Sequence, residues 1–189
     1  RVRLTGHLIQ SVIAPLSGYQ RRAMENLALV YPDMTMSERK QIAKRTANNF
    51  GRTLIENYSG KGINAVARTS PISGPGLQAF KDAQENGVPV LLVTGHFGNY
   101  EVPRHALDSL GYEIGALYRP MANVFFNDHY VQTLANVSGP LFPQGRRGTG
   151  QFVRHLKSGG ASVLLFDIYA RGARLPFLGQ NAKTSLSSA

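Results

Sequence analysis

Apolar and polar positions along the chain fall into two textures. Up to about residue 62 the apolar residues recur at helical spacing, on faces separated by basic and polar ones. Leu4, Leu8, Ile9, Val12 and Ile13 mark one face of a first piece within residues 4–30, which breaks near Pro15 and Gly18. Tyr19-Gln20-Arg21-Arg22 opens a second piece that runs through Leu27 and Leu29 to Tyr31-Pro32. A longer helix follows, with Ser37 as its predicted N-cap, Ile42, Ala43, Phe50, Leu54 and Ile55 along it, and Gly60 and Gly62 at its end. The apolar face of the first piece has two uses open to it, packing on the core or lying in a membrane interface.

From about Val66 strands and helices alternate. The pattern predicts a short strand within 66–73, then a helix over 77–84 stopped by Asn86-Gly87. The run over 88–93 is apolar and bounded by breakers, and predicts a central strand covered on both faces. Beyond it come a helix over 100–110, a strand over 112–118, a helix over 124–137 and a short strand at Leu141-Phe142-Pro143. A helix over 151–157 and a buried strand over 161–166, landing on Asp167, complete the series. Such alternation predicts an α/β fold: a mostly parallel sheet with crossover helices, preceded by an N-terminal helical segment. The expected division is 1–62, a basic helical membrane-proximal segment, and 63–189, the α/β core.

Composition changes this picture in one respect. Lys and Arg number 21 against 11 acidic residues, a net charge of +10, which implies an anionic partner. No nucleic-acid-binding motif accompanies the charge, so a phosphorylated ligand or an anionic membrane surface is expected and nucleic acid is not. The absence of cysteine removes disulfides, thiolate metal sites and cysteine nucleophiles together. There is no apolar run of about 18 residues, so no stretch reads as a membrane span. The chain opens on Arg1-Val2-Arg3 and stops at Ser187-Ser188-Ala189, and the expectation is a piece of a longer protein, cut at the C-terminus.

Candidate chemistry gathers after the predicted strands. His96 stands between Gly95 and Gly98, and Glu101 follows five residues later. Along a continuous helix that spacing is about 500°, which leaves the two side chains roughly 140° apart. They converge only if Gly98-Asn99 turns the chain; Asn99 then N-caps the next helix and Glu101 suits its first turn. A histidine oriented by a carboxylate is a general-base dyad. Arg119, Arg146, Arg147 and Asp167 also lie at strand ends, which a parallel sheet brings to one edge. Gly145-Arg146-Arg147-Gly148-Thr149-Gly150 is similar to a phosphate-cradling loop but lacks the Gly-Lys-Ser/Thr of a P-loop. His7, His105, His129 and His155 are read as structural, and no Gly-x-Ser-x-Gly elbow is present.

These residues carry a family resemblance. His96-Phe97-Gly98-Asn99-Tyr100-Glu101 resembles the H-x4-D/E motif of the glycerolipid acyltransferases, and in detail the HFGNWE form of the lipid A lauroyl/myristoyl acyltransferases. Tyr118-Arg119-Pro120 with Asn123 is similar to that branch's YRP-x2-N segment, and the run from Gly159 to Asp167 to its strand ending in Asp. Leu175-Pro176-Phe177-Leu178-Gly179 with Ala182 and Thr184 resembles its VPFFG-x-x-A-x-T, and Arg22, Asn26-Leu27 and Tyr31-Pro32 its early helix. Tyr100 replaces the usual tryptophan, Ile168-Tyr169 replaces a more polar pair, and Gln144 stands where the phosphatidate-forming branch has an acidic residue.

The resemblance implies transfer of an acyl chain from an acyl-carrier-protein thioester to a hydroxyl of a phosphorylated glycolipid, a lipid A precursor, at the cytoplasmic face of the bacterial inner membrane. It implies His96 as general base oriented by Glu101, with Gly98, Asn99, Arg119, Asn123, Arg146, Arg147 and Asp167 binding substrate. Backbone N–H groups at the start of the helix after Asn99 are expected to receive the oxyanion. No metal or redox cofactor is required. Acylation of a lysophospholipid or another glycolipid, and a non-enzymatic anionic-lipid-binding module, remain the alternatives.

Overall fold

The computed structural model describes residues 1–58, 61–136, 139–167 and 172–184, which form two compact units. The first comprises Arg1–Tyr58 with the segment 172–184, and the second residues 61–167.

In the first unit, α1 (Val2–Leu8) continues through a π-helical stretch, Ile9–Ile13, into α2 (Ala14–Leu16). The widened turn immediately precedes Pro15, whose ring cannot follow a regular α-turn, and the Ala14 N–H reaches back five residues to the Ile9 carbonyl. These helices bury Gly6, Ile9 and Ala14, while Leu4, Leu8, Val12, Ile13 and Leu16 stay exposed. Of the apolar face expected from the periodicity, only Ile9 packs inward. After α3 (Tyr19–Val30) comes α4 (Met36–Asn57). Its N-cap is Thr35, not Ser37: the Glu38 N–H donates to Thr35 Oγ1 at 3.3 Å, and the Thr35 N–H donates to Glu38 Oε2 at 2.9 Å. This reciprocal box outcompetes Ser37 because it satisfies two end groups with one pair of side chains.

The second unit opens with α5 (Lys61–Thr69), where a strand starting near Val66 was expected, so Gly62 lies inside a helix rather than ending one. Ile63 and Ala67, four residues apart, are its buried residues, and it packs on α7 (Val102–Ser109). Helix α6 (Gly76–Glu85) leads to β1 (Val90–Thr94), and α7 to β2 (Ile114–Tyr118). Then follow α8 (Val124–Ala135), β3 (Leu141–Pro143), α9 (Arg146–Lys157) and β4 (Ala161–Leu165). The expected helix end at Val137, the Gly60 stop and Ile168-Tyr169 lie outside the described residues. Two further strands, β5 (Ala173–Phe177) and β6 (Gln180–Thr184), pair as an antiparallel hairpin in the first unit, where Gln180 donates to the Leu29 carbonyl of α3.

The four strands of the second unit form a wholly parallel sheet in the order β1-β4-β2-β3. The fold is therefore α/β, a parallel sheet flanked by helices and preceded by helices. The central position next to β1 belongs to β4, and β1 is an edge strand among the described residues. Val90 and Leu92 pack with Ile114, Ala161, Phe80 of α6 and Leu107 of α7. Helix α9 covers the opposite face only over β2, β3 and β4, so Leu91 and Val93 are 43% and 60% exposed. An apolar run reports that a strand is wanted; it does not report how far the crossover helix reaches.

Ile114 is fully buried in this core. Truncation to alanine, Ile114→Ala, is expected to destabilise the protein by about 2–5 kcal/mol, read by urea unfolding of the full-length chain.

Candidate active site

Parallel pairing explains how the site assembles. Thr94 and Leu165 are register partners at the ends of β1 and β4, and the Phe166 N–H donates to the Thr94 carbonyl. His96 and Asp167 each lie two residues beyond those partners, so the register sets them side by side across 71 residues of sequence. The intervening Gly95 is buried, and a Cβ there would stand 2.8 Å from Asp167 Oδ2 and 2.7 Å from the Phe97 ring. Only a residue without a side chain lets the carboxylate in.

Asp167 uses both oxygens on one residue. Its Oδ1 lies 2.7 Å from His96 Nδ1, and its Oδ2 accepts the His96 backbone N–H at 2.7 Å. Burial raises the Asp167 carboxyl, but the bonds from the His96 ring and backbone outweigh it and leave the group below its ordinary value. An ionised carboxylate only accepts, so Nδ1 carries the proton and the Nε2 lone pair is left for chemistry. Tyr100 closes one side of the ring edge-on, with centroids 4.7 Å apart.

The carboxylate that orients His96 is therefore Asp167, not Glu101. The turn expected between His96 and Glu101 is present, with Gly98 at φ 53°, a left-handed conformation that favours glycine. Asn99 does not N-cap α7; that position is held by Glu101 itself. Instead Asn99 makes a local turn, its Oδ1 accepting the Glu101 N–H at 3.2 Å and its carbonyl accepting the Val102 N–H. The Glu101 and Val102 N–H groups are thus used within this turn, and Pro103 has none to offer.

Glu101 turns inward. Its Oε2 lies 3.8 Å from Nη1 of Arg104, three residues along α7. Burial raises the Glu101 carboxyl above its ordinary range, opposed first by Arg104 and then by His96. The two acidic groups thus differ, Asp167 held low by hydrogen bonds from His96 and Glu101 raised by burial. Arg104 escaped the sequence reading; its spacing from Glu101 was the available signal. So did the steric role of Gly95.

The remaining candidates line the same sheet edge. Arg119 follows β2, and Arg146 and Arg147 follow β3; all three are exposed. Adjacent strands lie about 4.8 Å apart, so in the order β1-β4-β2-β3 the arginines stand beyond the dyad on its β4 side. Gly145-Arg146-Arg147-Gly148-Thr149-Gly150 is not a loop. Gly145 is the N-cap of α9, and Arg146 and Arg147 are its first residues. Gly148 sits against the Pro143 carbonyl where a Cβ has no room, which lets the helix begin directly after β3. Two cations at a helix N-terminus oppose the macrodipole, at a cost of about 0.3–1 kcal/mol each, and an anion bound there would relieve it. Asn123 is occupied structurally, its Oδ1 accepting the Phe126 N–H as the N-cap of α8.

The model of one family, described as bacterial lipid A biosynthesis acyltransferase, matches residues 2–189. The chain belongs to that family. Among curated proteins none matches it. As a lipid A biosynthesis acyltransferase it is an enzyme that transfers acyl groups, and among the described residues the His96–Asp167 pair has the arrangement of a general base and its orienting carboxylate.

Two outcomes follow from the two carboxylates. Asp167→Asn presents an amide N–H to Nδ1, shifts the ring proton to Nε2 and removes the base; acyl-transfer kcat is expected to fall about 10²-fold or more, while Glu101→Gln leaves the ring tautomer alone. Glu101 has a folded value above its ordinary 4.5. Its contribution to stability is therefore complete below that value and is lost as pH rises through the folded one. Urea titrations at increasing pH should show Glu101→Gln gaining on the wild type over that window.

Proposed function

We propose that the chain carries out secondary acylation of a lipid A precursor, taking the acyl group from an acyl-carrier-protein thioester. The observation that carries this reading is the His96–Asp167 pair, at a sheet edge bordered by three exposed arginines, in a member of this family. His96 Nε2 accepts the proton of the acceptor hydroxyl as its oxygen attacks the thioester carbonyl carbon. The tetrahedral intermediate collapses, the carbon–sulfur bond breaks, and the imidazolium returns its proton to the departing thiolate. A thioester is already activated, so no covalent enzyme intermediate is needed; positioned base catalysis supplies about 10²–10⁴-fold. Asp167 holds the tautomer and stabilises the imidazolium.

Arg119, Arg146 and Arg147 are the groups we assign to the sugar phosphates, through charge-assisted hydrogen bonds. The net charge of +10 suits an acidic carrier protein and an anionic leaflet. No helix among the described residues is long and apolar enough to cross a membrane. The exposed row Leu4, Leu8, Val12, Ile13 and Leu16 supports an interfacial placement of the first helices, at the cytoplasmic face of the inner membrane.

The test incubates full-length protein with acyl-carrier-protein donors and a tetra-acylated lipid A precursor, and reads the product by mass spectrometry. One added acyl chain is expected, and none with His96→Ala. Product formed only on a lysophospholipid or another glycolipid would reassign the acceptor; normal turnover by His96→Ala would remove His96 as the base.

A further inference from the structure

We propose that Arg104 is a positioning residue for acyl transfer: a buried guanidinium, pinned by two main-chain carbonyls, that holds the Glu101 carboxylate at the start of α7, five residues after His96. The inference rests on the reading of His96 as general base. Arg104 is 3% exposed. Its Nε donates to the Ile114 carbonyl at the start of β2, at 2.9 Å, and its Nη1 donates to the Leu134 carbonyl in the last turn of α8, at 3.1 Å. The same Nη1 lies 3.8 Å from Glu101 Oε2. One side chain thus ties together α7, β2 and α8, the elements that carry Glu101, lead to Arg119 and follow Asn123.

A purely structural role does not account for this. Carbonyls ask only for neutral donors, and burying a guanidinium carries a desolvation cost that the Glu101 carboxylate, 3.8 Å away, offsets. Glu101 needs the reciprocal service. Its carboxylate is buried at the N-terminus of α7, and its side chain makes no capping bond to that helix. The charges that act on it are Arg104 from its own helix and His96 from the loop after β1; Asp108 acts on Arg104 in turn. From α5, packed against α7, Arg68 is exposed and exerts no comparable pull. Arg104 therefore sets how far Glu101 stays ionised at working pH. An ionised Glu101 stabilises the imidazolium that forms when His96 takes the hydroxyl proton.

The full-length protein with Arg104→Met and Arg104→Lys decides this through two readouts. One is the pH profile of kcat and KM for acyl transfer. The other is the carboxyl titration of Glu101 by NMR with carbon-13-labelled glutamate, which needs no turnover. Removing an opposite charge at this range raises a carboxyl by about one unit or more. Arg104→Met is expected to move both the acid limb of kcat and the Glu101 titration upward by that amount, with KM little changed. Arg104→Lys should restore most of the shift while losing thermal stability with the paired carbonyl bonds. An unmoved titration, or kcat lowered by one factor at every pH, overturns the proposal. If Arg104→Met does not fold, Arg104→Lys decides alone: a Glu101 titration near that of the wild type supports the clamp, and one shifted as far as expected for the loss of charge overturns it. Absence of acyl product from the wild type would count against the base reading, while the titration still tests the clamp.

Discussion

The site depends on one contact, in which the two oxygens of Asp167 grip the ring and the backbone of a single residue. One bond alone would leave His96 free to swing about its side-chain torsions; two bonds from one carboxylate fix backbone, rotamer and tautomer together. That grip is a product of the sheet. It requires Thr94 opposite Leu165, parallel strands that release their chains in the same direction, and no side chain at Gly95. The His96–Asp167 geometry is thereby built on adjacent, hydrogen-bonded strands.

The local features of this arrangement could be read from the residues. The turn at Gly98, the helix after it, β2, the three-residue β3 and the strand that lands on Asp167 follow from apolar runs and breakers. The strand order could not be read so, because it depends on where each crossover helix packs. With β1 taken as central and Glu101 close in sequence, Glu101 was the natural partner for His96. The register instead brings in Asp167 from 71 residues away. Residues 61–69 illustrate a second limit: Ile63 and Ala67 bury one helical face, yet a short stretch of small and β-branched residues carries the strand signal equally well. The basic segment after β3 illustrates a third. Its glycines read as loop, but one of them is there for a close approach of α9 to Pro143.

Asp167 and Glu101 stand in unlike surroundings. Asp167 is partly exposed and receives hydrogen bonds, so it remains ionised and directional. Glu101 is buried, and its charge is countered by a guanidinium that is itself tied to the main chain. A directional anion suits orientation of the ring, whereas at Glu101 burial works against the charged form and Arg104 works for it.

The same strand order separates the exposed arginines from the His96–Asp167 pair. Arginines beyond β2 and β3 stand one or more strand spacings past β4, each about 4.8 Å, and the dyad occupies the β1 and β4 ends. Any anion that the exposed Arg119, Arg146 and Arg147 attract is therefore drawn to one side of the imidazole. The strand order that hid Asp167 from a linear reading also sets the exposed cations apart from His96.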